Sequence, residues 1–172
     1  MACDLTRSRS KECKDSLGGN SKIYLYNDLD APFTVVGGEA TAMNVLLTSN
    51  YSYDIEGDGS TLEQAMVSDR NTGTRTNTQT LTVVLKKMTA VDAAEFNLLA
   101  ASFSQAVVKD RNGNYVALGI TDGMDWNITA STGGAKTDLA GYTLVGTAVE
   151  SEFAPFLDSA TVTAFTAVTV AP

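Results

Sequence analysis

The chain has 172 residues, of which 44% are hydrophobic, and a formal net charge of −8. This fits one domain, or one domain with an arm, able to bury roughly two thirds of its surface. The absence of histidine excludes Ser-His-Asp and Cys-His catalytic arrangements and histidine-based metal sites. The chain contains no run of ~18 apolar residues, the length that a membrane-spanning helix needs. Because the first ten residues lack the apolar core of a secretory signal, we expect the chain to be made and kept in a cytosol.

The negative charge is unevenly distributed. Residues 1–22 carry five basic and three acidic side chains, a net charge of +2, and the remaining residues carry seven basic and seventeen acidic ones, a net charge of −10. Affinity for nucleic acid depends on Lys and Arg that displace counterions from phosphates. The acidic body therefore disfavours a nucleic-acid grip but suits a surface that nucleic acid passes without sticking. Acidity that serves only solubility explains the same composition.

Residues 1–20 form a predicted N-terminal arm with a flexible break at residues 17–20. Both cysteines of the chain, Cys3 and Cys13, lie in this arm. A reducing cytosol disfavours a disulfide, and a zinc site needs four ligands, typically Cys or His. We therefore interpret them as packing thiols. Residues 18–22 lack the order and spacing of a phosphate-binding loop, so they predict a turn.

Alternation of apolar and polar residues predicts a β domain over residues 21–157. Leu81, Val83 and Leu85, for example, alternate with threonines and a lysine. Two further strand-like runs flank Asn112-Gly113, the strongest short-range signal for a two-residue hairpin turn. The other predicted strands cover residues 23–26, 33–36, 43–49, 51–55, 80–86, 124–129 and 142–147.

One helix is predicted over about residues 90–101, after Thr89. Asp92 follows Thr89 at the spacing of a capping box, in which each side chain satisfies a free backbone donor. The helix carries two apolar stripes, whereas an isolated domain needs only one. We expect one stripe to pack on the sheet and the other to meet either a partner or the long polar segment of its own chain. The stripes are Val91, Ala94, Leu98 and Ala101, and Phe96, Leu99, Ala100 and Phe103.

Two segments extend the predicted β domain. Residues 56–78 are polar and rich in Gly and Thr apart from a short apolar patch. A connection of this length tends to be functional or mobile, and we interpret it as an extended hairpin or arm rather than disorder. Residues 158–172 form a C-terminal extension, in which alternation over residues 160–170 predicts an extra strand. The fold class is thus mainly β, a β-sandwich or barrel with one flanking helix.

The acidic turn that begins at Asp54 resembles an incomplete calcium loop. Asp54, Glu56 and Asp58 occupy plausible ligand positions, but position twelve is Ala65 where a bidentate Glu is required, and Glu63 comes two residues early. A solvated acidic turn is the better interpretation. No residue is assigned a catalytic, cofactor-binding or metal-binding role, no cofactor is predicted, and no enzyme is expected.

Three motifs occur in an order and spacing that resemble the tail tube proteins of tailed bacteriophages, over nearly the whole chain up to about residue 157. Residues 158–172 extend beyond the usual end. The first motif is the arm, residues 3–19, followed by 23–26; the second is residues 68–74, leading into 79–81 and 85–87; the third is residues 110–114, with 139–144 and 154–156.

This resemblance implies two sheets packed as a sandwich with a flanking helix. It also implies six subunits per ring and rings that stack into a hollow tube, in the virion tail, through which DNA passes without specific binding. Assembly in the host bacterial cytoplasm follows, with sheath, baseplate or hub and neck proteins as possible partners. Candidates for an acidic lumen are acids near turns or strands: Asp28, Glu39, Asp54, Asp122, Asp125 and Asp138.

Other functions remain open at this point. A neck, terminator or hub protein of the same fold would form one ring rather than many, and a tube of a contractile injection machine would deliver protein. A monomeric β-sandwich could instead bind carbohydrate or calcium on a particle surface. That alternative predicts aromatic side chains clustered on one face and a complete metal loop.

Overall fold

The computed structural model describes residues 5–171 and is mainly β, as predicted. Its strands form an eight-stranded sheet, here called sheet A, and a four-stranded sheet, sheet B. The elements are β1 (Asn20–Tyr26), β2 (Phe33–Val36), β3 (Glu39–Met43), β4 (Asn50–Asp54), β5 (Thr61–Asp69), β6 (Thr74–Lys86), α1 (Ala90–Ala101), β7 (Gln105–Asp110), β8 (Tyr115–Leu118), β9 (Asp125–Ser131), β10 (Gly141–Glu150), β11 (Phe156–Leu157), α2 (Ser159–Ala167) and β12 (Thr169–Val170).

The central strands of sheet A are buried on both faces. Its strand order is β12-β4-β1-β7-β8-β11-β3-β2, and side chains that alternate along β1 belong to two different apolar cores. Ile23 and Leu25 join the main core, whereas Tyr24 and Tyr26 join the second core. Successive side chains of a strand point to opposite faces. In a strand that is buried on both sides, consecutive residues are therefore all apolar. This explains the unbroken apolar character at the centre of β1 and β7.

Sheet B covers one face of sheet A and encloses the main core. Its order is β5-β6-β10-β9, and all three pairings are antiparallel. Leu81 and Leu144 face inward with Trp126. Gly146 lies opposite Trp126 in the register, and a Cβ at Gly146 would come within 2.9 Å of the indole. The missing side chain therefore makes room for the indole.

The helix α1 closes one side of the main core, and its predicted bounds are confirmed. The Thr89 hydroxyl oxygen accepts a hydrogen bond from the Asp92 backbone N–H at 3.0 Å and donates one to the Asp92 carboxylate at 2.6 Å. The carboxylate thus binds the threonine hydroxyl rather than a backbone donor. Phe96 and Leu99 are buried, and the Phe96 ring packs edge-on against Tyr142 at 4.8 Å between centroids.

The strand predicted over residues 160–170 is wrong for most of its length, since Ser159–Ala167 form the second helix, α2. Asp158 caps this helix by accepting a hydrogen bond from the Thr161 backbone N–H at 2.7 Å. Thr161 and Phe165, four residues apart on one helical face, are buried in the second core against sheet A. Only Thr169–Val170 form a strand, which pairs in parallel with β4.

The strand predicted over residues 43–49 is also wrong, because the strand lies earlier, at Glu39–Met43. The backbone turns at Asn44, whose carbonyl accepts from the Leu47 N–H at 3.0 Å and whose side chain accepts from the Leu46 N–H at 3.0 Å. Asn favours such turns by bonding its own local backbone. This turn leaves Val45 and Leu46 exposed.

The two predicted hairpins are confirmed. Residues 56–78 contain β5 and the first part of β6, which pair in register from Thr61↔Thr82 to Asp69↔Thr74. The hairpin at Asn112-Gly113 joins β7 to β8, but residues 111–114 connect the strands instead of a two-residue turn. Within residues 5–171, neither helix has the length and apolar character needed to cross a membrane.

The second core gives the first testable prediction. Replacing Phe165 with Ala should lower the free energy of unfolding by about 3–5 kcal/mol, because its fully buried ring contacts Tyr24, Tyr26 and Phe33. Urea denaturation measures this loss. Phe153→Ala is the matched control, because Phe153 is exposed and its removal should cost under about 1 kcal/mol. Equal losses in the two variants would contradict the packing of α2.

Candidate functional site

The outward face of sheet B is lined by threonine and is here called the threonine face. In β6 the inward Leu81 and Val83 are fully buried, and the residues between them point to the outside. The register carries this alternation across all four strands. The outward threonines are Thr61, Thr74, Thr76, Thr78, Thr80, Thr82, Thr129, Thr143 and Thr147.

The threonine face carries more negative than positive charge. One row crosses the whole sheet, with Glu63 opposite Thr80, Thr80 opposite Thr147, and Thr147 opposite Asp125. A carboxylate therefore stands on each outermost strand and hydroxyl groups stand between them. Outside this row, outward positions of the strands add Asp69 as a further acid and Lys86 as the single base. Val67, Val84, Val145 and Val149 also occupy outward positions. The face is therefore mixed, with hydroxyl groups, carboxylates and valines, and it offers no cluster of cations to a phosphate.

The edge strands of sheet B are β5 and β9. Each has one edge that pairs with no described strand. A free edge presents a row of N–H and C=O groups that can pair with another chain. β5 is nine residues long, and within Thr61–Asp69 there is neither Pro nor Lys, two residues that commonly block edges. The β5 edge is therefore suited to pair with a strand of another molecule.

The helix α1 leaves one of its two apolar stripes uncovered. Val91, Ala94, Leu98 and Ala101, here called the helix stripe, are all exposed, and Leu98 retains 66% of its accessible surface. The β5–β6 hairpin does not cover it, so the interpretation in which the chain's own long segment meets this stripe is wrong. The stripe faces outward as a surface that a partner could cover.

A groove of about 490 Å³ lies beside the helix stripe, between α1 and the ends of β1 and β4. Tyr51, Tyr53 and Leu98 line it, and Glu95 stands at its rim. Partial burial raises the pKa of Tyr53, and the negative charges of Glu95 and Asp92 raise it further. The tyrosine ring therefore lies in a negative potential, and the groove combines apolar walls with an acidic rim.

Residues 5–18 of the N-terminal arm are all exposed and form no helix or strand. Leu17 is the first described residue that hydrogen-bonds to the body. Its N–H donates to the Asn112 side-chain oxygen at 2.8 Å, and its carbonyl accepts from the Asn112 side-chain NH₂ at 2.9 Å. The exposed Cys13 is a free thiol, and Cys3 lies outside the described residues. The arm is thus fixed at its base and free along its length.

A second apolar patch lies at the opposite edge of sheet A, where β2, β3 and β11 pair. Val36 lies opposite Glu39, which is in turn paired with Phe156. Val36, Phe153 and Phe156 are each more than half exposed. With the helix stripe and the β5 edge, the molecule has three separate surfaces of a kind that partners cover.

The structure does not bring the six acidic lumen candidates together. Only Asp125 lies on the threonine face, and the other five are exposed at separate loops and strand ends. Glu39 is on β3 and Asp54 on β4, which lie near opposite edges of sheet A. Backbone N–H groups of Ala135 and Gly134 bind the Asp138 carboxylate, at 2.7 and 2.9 Å, and lower its pKa. Asp28 lies in the loop that follows β1, and Asp122 lies in a turn.

The acids of the incomplete calcium loop point to separate cations. Asp54 binds the Lys22 ammonium at 2.9 Å, Glu56 lies 3.7 Å from Lys86, and Asp58 lies 3.6 Å from Arg111. Within residues 5–171, no three Cys, His, Asp or Glu side chains form a group that could hold a metal ion. Three exposed ion pairs of this kind add little stability each.

Sequence reasoning missed Glu63 and Asp69, the acids of the threonine face on β5. The interpretation of residues 56–78 as one long polar segment concealed them. The available signal was the alternation of Leu62, Gln64 and Met66 with Glu63 and its neighbours, which has the period of a strand.

The Asp110 carboxylate, next to the base of the arm, predicts a pH dependence of the stability of the fold. The Asp110 carboxylate accepts from the backbone N–H groups of Asn112 and Asn114, both at 2.8 Å. Partial burial alone would raise the pKa of Asp110, but hydrogen bonds from Asn114 and Asn112 outweigh it and hold the pKa below its ordinary 3.8. The carboxylate therefore stabilises the fold above pH 3.8, and this contribution is lost as the pH falls through the lower, folded-state pKa.

We expect Asp110→Asn to lose at most about 1 kcal/mol of unfolding free energy at neutral pH, since solvent screens this exposed loop. The difference from the unmodified chain should vanish well below pH 3.8. Urea denaturation at the two pH values measures it, with Asp122→Asn in an exposed turn as control. A difference that stays constant with pH would contradict the role of the carboxylate.

Comparisons of the chain with protein-family models, with curated proteins and with solved structures found no match.

Proposed function

We propose that the chain is a structural subunit of a bacteriophage tail tube, in which six copies form a ring and rings stack around a passage for DNA. The observation that carries this proposal is the unpaired β5 edge of sheet B, which is nine residues long and contains neither Pro nor Lys. Edge-to-edge pairing of β5 with β9 of a neighbouring copy would satisfy both edges. The motifs that resemble tail tube proteins supply the ring size and the cargo.

The strand directions of sheet B support such a ring. Its four strands alternate in direction, because all three pairings are antiparallel. With an even number of alternating strands, β5 and β9 run in opposite directions. A β9–β5 junction between copies related by rotation is then antiparallel as well, and the same junction repeats around a closed ring.

The dimensions also suit a passage. Six copies of the four-stranded sheet would make a barrel of about 24 strands. With strands about 4.8 Å apart and tilted by about 40°, its backbone diameter is roughly 45–50 Å, which leaves room for a DNA duplex inside the side chains.

The threonine face is the face of sheet B that would line this passage, since the other face is buried against sheet A. Hydroxyl groups, valines and scattered carboxylates give a wall that repels phosphate weakly and has no cluster of cations that could bind phosphate by releasing counterions. DNA would therefore slide along it. A neck, terminator or hub ring, or a tube that delivers protein, would use the same sheet, and the number of stacked rings and the cargo distinguish these relatives.

Negative-stain electron microscopy and solution mass, over a range of concentrations, test the proposal directly. We expect hollow rings or tubes with sixfold end views. A chain that stays monomeric at high concentration would contradict self-assembly through the β5 edge. It would favour a binding module, to be examined with calcium and glycans.

Two neighbouring proline variants test the edge itself. Consecutive N–H groups of an edge strand point alternately to the partner strand and to the free edge. Of Ala65→Pro and Met66→Pro, one should break the ladder with β6 and destabilise the monomer, and the other should leave a folded chain that no longer assembles. Circular dichroism reports folding and electron microscopy reports assembly. Full assembly by every variant that stays folded would contradict edge pairing.

Charge reversal on the threonine face tests the passage. The double variant Glu63→Lys/Asp125→Lys should give tubes that retain DNA, and the retention should weaken steeply with salt as counterions compete. Co-sedimentation of DNA with tubes measures it. Asp30→Lys/Glu39→Lys makes the same change of charge at exposed positions outside sheet B and should not retain DNA. Equal retention by the two variants would contradict a lumen at the threonine face.

A further inference from the structure

We propose that the N-terminal arm of one copy binds the groove beside α1 of a second copy and joins the two head to tail. The free arm of one copy and the uncovered groove of another are then each other's partners. It rests on the proposed function, since it would link successive copies of the same assembly.

The arm has the pattern of a ligand for an acidic, apolar groove. In an extended chain every second side chain points to the same side. This places Leu5, Arg7, Arg9 and Lys11 together and leaves one threonine and two serines between them. One side of the arm thus carries an exposed leucine followed by three cations. From Leu5 to Lys11 the extended arm spans about 20 Å, and the twelve residues of α1 span about 18 Å.

The groove complements this pattern in chemistry and charge. Tyr51, Tyr53 and Leu98 provide apolar walls for a leucine and for the aliphatic stems of Arg and Lys. Glu95 at the rim and Asp92 on the same helix place negative charge beside Tyr53. Complementary charges of this kind orient a partner and raise its rate of association.

The positions of arm and groove favour a second copy as the partner. The arm leaves the body at the start of β1, where Asn20 pairs with Asp110, and the groove lies at the other end of β1, where Tyr26 pairs with Gln105. The single chain leaves both the arm and the helix stripe exposed. A contact between opposite ends of two copies is head to tail and can repeat without closing, as stacking requires.

Two full-length charge variants test the contact. The arm variant Arg7→Glu/Arg9→Glu/Lys11→Glu and the groove variant Ala94→Lys/Glu95→Lys should each need roughly tenfold higher concentration to form stacked species in sedimentation. An equal mixture of the two should restore stacking, because every junction between one variant and the other joins opposite charges. Arg70→Glu/Lys87→Glu/Lys136→Glu reverses three exposed cations outside the arm and outside the threonine face, and this variant should stack like the unmodified chain.

Cross-linking separates contact between copies from contact within one copy. In a mixture of isotopically light and heavy chains, coupling of lysine amines to carboxylates should link Lys11 or Lys14 to Glu95 in mixed pairs. Links confined to single chains, or no links in samples that form rings, would overturn the inference and leave the tail tube proposal standing. Mixed links in samples that form neither rings nor tubes would support the inference while contradicting the tube.

Discussion

Burial on both faces of sheet A is the constraint on which the rest of the structure depends. Sheet B and α1 cover one side and α2 covers the other, so each residue of the central strands is committed to one of two cores. The central strands of sheet A then have no face left for solvent, and only its edge strands are exposed. Sheet B, by contrast, has buried one face only, and it bears the free polar surface of the molecule. Sheet A therefore forms the interior of the molecule, and sheet B exposes one face to solvent.

Sheet B combines several features, each of which is ordinary by itself. Threonine suits a strand because its branched side chain packs on a pleated surface while its hydroxyl stays solvated. The β5 edge is long and contains neither Pro nor Lys. Alternating strand directions make its two edges compatible with each other. An isolated subunit with such a sheet leaves backbone donors and acceptors without protein partners, and assembly would pair them without any change in the fold.

Charge is arranged in two different ways on this acidic chain. Around the start of β5, the acids lie beside Lys22, Lys86 and Arg111, so their fields largely cancel. On the threonine face and along α1, acids stand with few cations near them, and at Tyr53 their effect raises the pKa of the phenol. The basic arm is the counterpart within the same sequence. Separated charges of this kind suit the contact proposed between copies, and the acidic body disfavours binding of nucleic acid.

The sequence by itself determined the β-rich class, the bounds of α1 and both hairpins, because alternation, capping and turn residues act over a few neighbours. It also identified the uncovered helix stripe as a surplus of apolar surface. Only the tertiary structure decided that residues 159–167 form a helix, since the alternation of threonine with apolar residues fits either element. Burial of Phe165 four residues from Thr161, with the cap at Asp158, selects the helix. The position of Glu63 and Asp125 at opposite ends of one row also comes from strand order, which joins residues far apart in the chain.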